Sequence, residues 1–97
     1  MATYVTLYKY TAQGISTIKD ATKRLDAARK AAADAGINVK EAFWLQGEYD
    51  FMSITEASDE TAAVAMNINI LKLGNLTSQT MRAFTVDEMN KILAKVV

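Results

Sequence analysis

The chain has 97 residues, 51% of them hydrophobic and 23% charged, which is typical of one globular domain spanning residues 1–97. Eleven basic residues balance eleven acidic residues, so the chain lacks the excess positive charge with which proteins bind nucleic acids or anionic membranes. The absence of Cys and His excludes disulfides, thiolate nucleophiles and imidazole bases, and it removes the commonest metal ligands. We therefore expect no metal, no other cofactor, and no nucleic-acid or membrane partner.

The N-terminus enters a strand-like run at once and shows no basic stretch followed by an apolar one, as a secretory signal would. The longest unbroken apolar stretch, Ala62–Met66, is far too short to span a bilayer. We therefore expect a cytoplasmic protein.

Hydrophobic periodicity predicts the element order βαββαβα. The first predicted elements are a strand over residues 3–10, a helix with its apolar stripe from 18 to 35, and strands over 39–46 and 49–56. A helix capped by Ser58 and ended by Gly74 follows. The last elements are a strand over 76–84 and a helix opened by a capping box at 85–88. Four strands in this order most simply form a ferredoxin-like α+β fold, an antiparallel sheet with the first and third strands central and an additional C-terminal helix. Right-handed crossovers place the first two helices on the same face of the sheet.

Only Gly47-Glu48 separates the second and third predicted strands. A two-residue connection with Gly first favours a type II′ turn, because that turn needs a positive φ at its first position. The resulting register places Trp44 opposite Phe51 and Ala42 opposite Ser53.

Alternation along the strands assigns their side chains to two faces. The face expected to meet the helices carries Val5, Leu7, Phe43, Met52, Ile54, Met81 and Ala83. The opposite face carries Tyr4, Tyr8, Trp44, Phe51, Arg82 and Phe84. Such an aromatic face is too apolar to remain in water, so we expect a second subunit or the last helix to cover it. The neutral charge and a sparsely charged fourth strand add to the expectation of a homo-oligomer, formed through the open sheet face and the edge strands.

Several short segments carry a resemblance to a known family. They are Gly47-Glu48-Tyr49-Asp50 with Trp44-Leu45 before it and Ile54, Glu56 and Ala57 after it, then Leu73-Gly74-Asn75, Arg82-Ala83-Phe84-Thr85, and Gly14. In these residues the chain resembles the GYD domain family, and the resemblance extends over nearly the whole chain. It implies a small, mostly prokaryotic protein of the ferredoxin-like or dimeric α/β-barrel type, with no established reaction and no catalytic residue to carry over.

Four residues are candidates for ligand binding: Tyr8, Trp44, Tyr49 and Arg82. The aromatic side chains can line a pocket for a planar molecule, and a guanidinium can hold a carboxylate or phosphate with two hydrogen bonds. The alternative for the aromatic residues is a subunit interface. The alternative for Arg82 is a structural ion pair, with Glu41, Asp50 or Glu56 as the partner.

The signature residues Gly47, Glu48, Tyr49 and Asp50 are interpreted first as a structural hairpin corner, since Gly and Asp are residues that turns require. Three functional classes stay open. The first is a small-molecule-binding or accessory protein. The second is a structural subunit that assembles into higher oligomers or filaments.

The third class is a cofactor-independent enzyme, similar to an oxygenase or an isomerase. Without His or Cys, its candidate acids and bases are Tyr8, Tyr49, Asp50 and Glu56. An enclosed cavity that contains at least two of these four would favour the enzyme.

Overall fold

The computed structural model of the chain describes residues 1–97. The strands are β1 (Ala2–Tyr10), β2 (Ile37–Trp44), β3 (Phe51–Ala57) and β4 (Leu76–Ala83). The helices are α1 (Ala12–Ser16), α2 (Ala21–Asp34), α3 (Glu60–Leu71) and α4 (Val86–Leu93), with a single 3₁₀ turn over Ile18–Asp20. The predicted α+β class is confirmed, but the first predicted helix is divided into α1, the 3₁₀ turn and α2. No helix is long and apolar enough to cross a membrane.

The four strands form one antiparallel sheet in the order β2-β3-β1-β4, so β1 and β3 are the two inner strands. Both α2 and α3 pack on the same face of this sheet. The tightest part of the core joins Ala32 of α2 to Ile37 and Ala57 of the sheet, and these three side chains are 0%, 4% and 2% exposed. Partly buried residues of α3 pack against the same cluster.

The predicted assignment of the two sheet faces is wrong. Tyr4 packs against the core under the helices and Tyr8 is only 7% exposed, whereas Phe43 and Met81 on the other side are 51% and 37% exposed. The helices carry mostly Ala on their inner faces, so large aromatic side chains from the strands are needed to fill the layer between helix and sheet. The large apolar side chains on the opposite side of the strands form what we call the outer face: Val5, Leu7, Phe43, Met52, Ile54 and Met81.

The β2–β3 hairpin has the predicted register, with Trp44 opposite Phe51 and Ala42 opposite Ser53. The connection is wider than predicted. The Leu45 N–H donates to the Asp50 carbonyl at 2.8 Å, and no backbone hydrogen bond closes a two-residue turn inside that pair. The predicted type II′ turn is therefore wrong, although Gly47 does have a positive φ, of 145°.

Strand β2 contains a bulge that sequence periodicity did not reveal. It begins at Ile37, two residues earlier than predicted, and its register against β3 shifts between Val39 and Glu41. The extra residue, Lys40, reverses the alternation, as bulges do. As a result Ile37 before the bulge and Trp44 after it point to the same, helix-covered face.

The helix caps differ in how well sequence predicted them. The capping box at Thr85 and Glu88 is confirmed: the Thr85 hydroxyl accepts from the Glu88 N–H, and the Glu88 carboxylate accepts from the Thr85 N–H. At α3 the cap is Asp59 rather than the predicted Ser58, because the Asp59 carboxylate accepts from the Thr61 N–H at 2.9 Å.

The apolar stripe of α4 stays largely exposed, with Met89 at 44% and Leu93 at 52%.

Gly14 lies where α1 packs closely against the loop before β4. The Thr11 N–H donates to the Asn75 carbonyl at 3.1 Å, and the Thr11 hydroxyl donates to the Gly74 carbonyl at 2.6 Å. A Cβ added at Gly14 would lie 2.0 Å from the Asn75 carbonyl oxygen. Gly14 is therefore required for close approach of two backbones, rather than simply marking a polar connection.

Gly14→Ala should destabilise the protein by about 1–3 kcal/mol, because the backbone of Asn75 must move to admit the methyl group. Inside an unhindered helix the same change gives a gain of roughly 0.5–1 kcal/mol. Urea unfolding followed by circular dichroism measures the sign. Thr22→Ala, at an exposed position of α2, is the control and should be neutral or slightly stabilising. A Gly14→Ala variant as stable as the wild type would contradict the prediction.

Candidate ligand-binding cavity

A cavity of about 610 Å³ lies between the sheet and the helices α2 and α3. It lies beside the tight core cluster of Ala32, Ile37 and Ala57. Of its 29 lining residues 21 are hydrophobic, so its wall is predominantly apolar. Its volume falls within the range of about 300–1,000 Å³ that is typical of sites for small organic molecules. It is the feature of this fold best suited to hold a ligand.

Aromatic rings form the part of the cavity wall that the sheet contributes. The ring centroids of Tyr8 and Phe51 are 5.6 Å apart, and those of Phe51 and Trp44 are 5.0 Å apart, both in tilted arrangements. The Trp44 indole N–H donates to the Tyr10 hydroxyl at 2.9 Å. These four side chains come from three adjacent strands, and together they offer an extended surface for a flat or elongated apolar molecule.

Hydroxyl groups lie among the rings. The Thr6 and Thr80 hydroxyls are 3.1 Å apart and satisfy each other across β1 and β4. Burial raises the pKa of the Tyr8 phenol above its ordinary value of 10.0, and the nearby hydroxyls of Ser53 and Thr6 act in the opposite direction. Tyr8 is therefore a neutral phenol at physiological pH and can donate a hydrogen bond, but it is not poised as a base.

The signature residue Asp50 holds this wall in place. Its N–H donates to the Tyr8 carbonyl at 2.9 Å, and its carboxylate accepts from the Tyr10 N–H at 2.9 Å. Asp50 thereby extends the pairing of the hairpin with β1 beyond the end of β3. This geometry favours the structural interpretation of the signature. The Asp50 carboxylate binds the backbone of β1, the strand that carries the cavity residues Tyr8 and Tyr10.

Arg24 is the only charged residue that lines the cavity, and sequence reasoning did not single it out. It is half-buried, and its guanidinium donates to the Thr17 hydroxyl at 2.7 Å and to the Gly14 carbonyl at 3.4 Å. A signal was available, since Arg24 lies three residues after Ala21 and four before Ala28, on the apolar side of α2.

The structure brings together two of the four predicted ligand-binding residues. Tyr8 and Trp44 line the cavity, whereas Tyr49 and Arg82 do not. The Tyr49 hydroxyl donates to the Gln79 side chain at 3.0 Å, and the Lys9 ammonium lies 5.1 Å from its ring. Tyr49 therefore lies outside the cavity, and its contacts with Gln79 and Lys9 are also outside it.

Arg82 makes a structural ion pair, as its alternative interpretation stated, but with a partner that was not foreseen. Its guanidinium lies 3.1 Å from the Glu88 carboxylate and 4.5 Å from the centroid of the Phe84 ring. Glu88 is the capping-box residue of α4, so Arg82 joins the end of β4 to the start of that helix. The partners considered from sequence were Glu41, Asp50 and Glu56.

The acid and base candidates are dispersed. Of Tyr8, Tyr49, Asp50 and Glu56, only Tyr8 lines the cavity. Glu56 instead lies 3.9 Å from the Lys40 ammonium at the sheet edge and accepts from the Asn38 amide at 3.4 Å. The condition set for an enzyme, two of these groups in one cavity, is not met.

Fold and cavity together define a small α+β protein in which a four-stranded antiparallel sheet and its crossover helices surround an apolar site. The chain belongs to the GYD domain family, whose sequence profile matches residues 4–93. This confirms the resemblance seen in the signature and in the segments around it.

Similar proteins are known from Thermus thermophilus and Pyrococcus horikoshii. A Thermus thermophilus protein named "Glutamine synthetase and cystathionine beta-lyase binding protein" is 23% identical to this chain over 90 residues, which are 92% of this chain and 95% of that protein. A hypothetical protein from Pyrococcus horikoshii has a crystal structure that matches 88% of this chain and 92% of its own, with a TM-score of 0.56 and 24% identity. A crystal structure from Thermus thermophilus matches 89% of this chain and 96% of its own, with a TM-score of 0.55 and 22% identity. At these identities the two structures show a shared fold and nothing further.

Glu88→Gln should lower the melting temperature at neutral pH by a few degrees, and the difference should vanish in acid. The Thr85 N–H and then the Arg82 guanidinium hold the pKa of Glu88 below its ordinary value of 4.5. A lowered pKa in the folded state contributes stability above 4.5, and this contribution is lost as the pH falls through the folded-state value. Melting curves across this range check the prediction, with the exposed Glu41→Gln as the control. A difference that stays constant with pH would contradict it.

Proposed function

We propose that this protein is a small-molecule-binding accessory protein whose ligand occupies the cavity between the sheet and the helices. The cavity itself carries the proposal. An apolar space of about 610 Å³ leaves its wall in contact with water, which costs free energy that a bound apolar molecule recovers. Tyr8, which is neutral and nearly buried at 7% exposure, supplies a hydrogen-bond donor inside it.

The strand order β2-β3-β1-β4, with both crossover helices on one face, supports placing the domain in the ferredoxin-like class. The wider class includes dimeric α/β barrels, in which two such domains associate through their sheets. We infer the same kind of association here, with one change from the sequence-based expectation: the surface offered to a second copy is the outer face, not the aromatic face.

Two observations, the accessible surface and the dimensions of the isolated chain, support self-association. The isolated chain exposes 6613 Å², whereas a folded monomer of 10.6 kDa exposes about 5,500 Å². The excess is of the size that one partner buries in a standard interface, roughly 800 Å². The radius of gyration, 14.7 Å, also exceeds the roughly 12.5 Å of a compact chain of this length.

A role as an accessory to other proteins rests on the relative from Thermus thermophilus, which is named as a binding protein for two enzymes. Exposed apolar groups remain for such a partner on α4, where Val86 is 78% exposed and Leu93 is 52% exposed. We propose that this chain, too, contacts other proteins and that its ligand modulates those contacts. Neither of the two enzymes is assigned to it.

The cavity is tested with the fluorescent apolar probe N-phenyl-1-naphthylamine. Trp44, the only tryptophan of the chain, lines the cavity, so binding should quench its emission and enhance that of the probe. Ala28→Phe places a ring in the cavity and should weaken binding at least tenfold. Because the added ring enters the cavity rather than a packed core, this variant should not unfold the protein.

Ala33→Phe, at an exposed position of α2 outside the cavity, is the matched control and should bind the probe as the wild type does. Absence of binding to the folded wild type would overturn the proposal. Equal loss in both variants would mean that the probe binds elsewhere.

Self-association is tested by size-exclusion chromatography with light scattering at low micromolar concentration. We expect a closed dimer, and Phe43→Glu should shift it to monomer, because it places a charge within the apolar surface offered to the second copy. Lys30→Glu, on the exposed side of α2, should leave the dimer intact. A wild type that is monomeric throughout would refute the dimer. Rings or filaments would instead favour the structural-subunit alternative.

A further inference from the structure

The guanidinium of Arg24 has no carboxylate partner. The ion pairs of the chain involve Lys9, Lys40 and Arg82, and Arg24 takes part in none of them. Its two hydrogen-bond acceptors, the Thr17 hydroxyl and the Gly14 carbonyl, are neutral. A guanidinium in an otherwise apolar wall, with only neutral partners, is available to pair with an anion that enters the cavity.

The surroundings of Arg24 make one end of the cavity polar. Arg24 reaches Gly14, where an added Cβ would lie 3.1 Å from the Tyr10 ring and 2.0 Å from the Asn75 carbonyl oxygen. Tyr10, Asn75 and Arg24 all line the cavity, so this is one corner of it. The Tyr10 hydroxyl accepts from Trp44 and makes no other protein hydrogen bond, which leaves its proton free to donate to a ligand.

Most of the remaining lining is apolar. It consists mainly of alanines of α2 and α3, with Ile37, Val39, Met66 and Ile70, and the hydroxyls of Thr6, Ser53 and Thr80 lie among the aromatic rings. A ligand that fits both parts has an apolar body and one charged end. Since Arg24 is the only charge in the wall, it matches a single negative charge better than a doubly charged phosphate, which needs further donors.

We propose that Arg24 is the anchor for the carboxylate of an amphipathic organic acid, whose apolar body extends over Tyr8, Phe51 and Trp44. This inference rests on the proposed function and specifies its ligand class. Arg24 donates to the carboxylate with the guanidinium N–H groups that Thr17 and Gly14 leave free. Tyr10 donates a second hydrogen bond to the same group.

The test uses 4-phenylbutanoate and its uncharged analogue 4-phenylbutanamide, which share one apolar body. Their affinities are measured by displacement of N-phenyl-1-naphthylamine from the dimer or monomer as it exists in solution. The wild type should bind the acid about tenfold or more tightly than the amide, which is the usual effect of a hydrogen bond between charged groups. A third compound, 3-phenylpropyl phosphate, should bind more weakly than the acid.

Arg24→Gln should remove the preference for the acid while leaving N-phenyl-1-naphthylamine binding unchanged, which shows that the cavity is intact. Arg29→Gln is the matched control, because Arg29 lies on the same helix, is exposed and does not line the cavity. It should retain the full preference. Raising the salt concentration should reduce the preference of the wild type only modestly, since the pair is partly shielded from solvent.

The outcomes separate this inference from the proposed function. If N-phenyl-1-naphthylamine binds but the wild type does not prefer the acid, or Arg24→Gln keeps the preference, the role of Arg24 is overturned and the cavity still binds apolar molecules. If the phosphate binds most tightly, the assignment of a carboxylate is wrong. If the probe does not bind at all, the proposed function fails, and the ligand class fails with it.

Discussion

The small size of the side chains on the inner face of α2 is the constraint on which the rest of this structure depends. Where Ala32 meets Ile37 and Ala57, helix and sheet come into full contact and exclude water. Farther along the same helix, the small alanine side chains leave space between α2 and the aromatic side chains of the sheet, and both line the cavity. One run of alanines thus produces both the tight cluster and the cavity of about 610 Å³.

Two local features of the sheet determine which side chains face that space. The bulge at Lys40 reverses the alternation of side chains along β2. As a result Ile37 packs in the tight cluster with Ala32 and Ala57, and Trp44 lines the cavity. Asp50 ties the hairpin to β1 by accepting from the Tyr10 N–H. The signature after which the family is named therefore acts on the cavity indirectly, by holding the backbone of residues that line it.

Sequence patterns predicted much of this fold. The order of strands and helices, the Trp44–Phe51 register and the capping box at Thr85 follow from local rules of periodicity and hydrogen bonding, and local rules are visible in sequence. The faces of the sheet were assigned wrongly because Val, Ile and Met are more hydrophobic than Tyr and Thr. In this protein, filling volume under an alanine helix mattered more than hydrophobicity. Arg24 was not among the residues singled out from the sequence, because its contacts with Thr17 and Gly14 arise only in the folded chain.

The sequence by itself determined the order of strands and helices, the Trp44–Phe51 register and the family, because these depend on neighbouring residues and on a signature readable in one dimension. Only the tertiary structure decided that Tyr8 and Trp44 share a cavity with Arg24 while Arg82 pairs with Glu88. The reason is geometric. A bulge of one residue and the distance between two packed layers govern which side chains meet, and neither quantity is expressed in the spacing of residues along the chain.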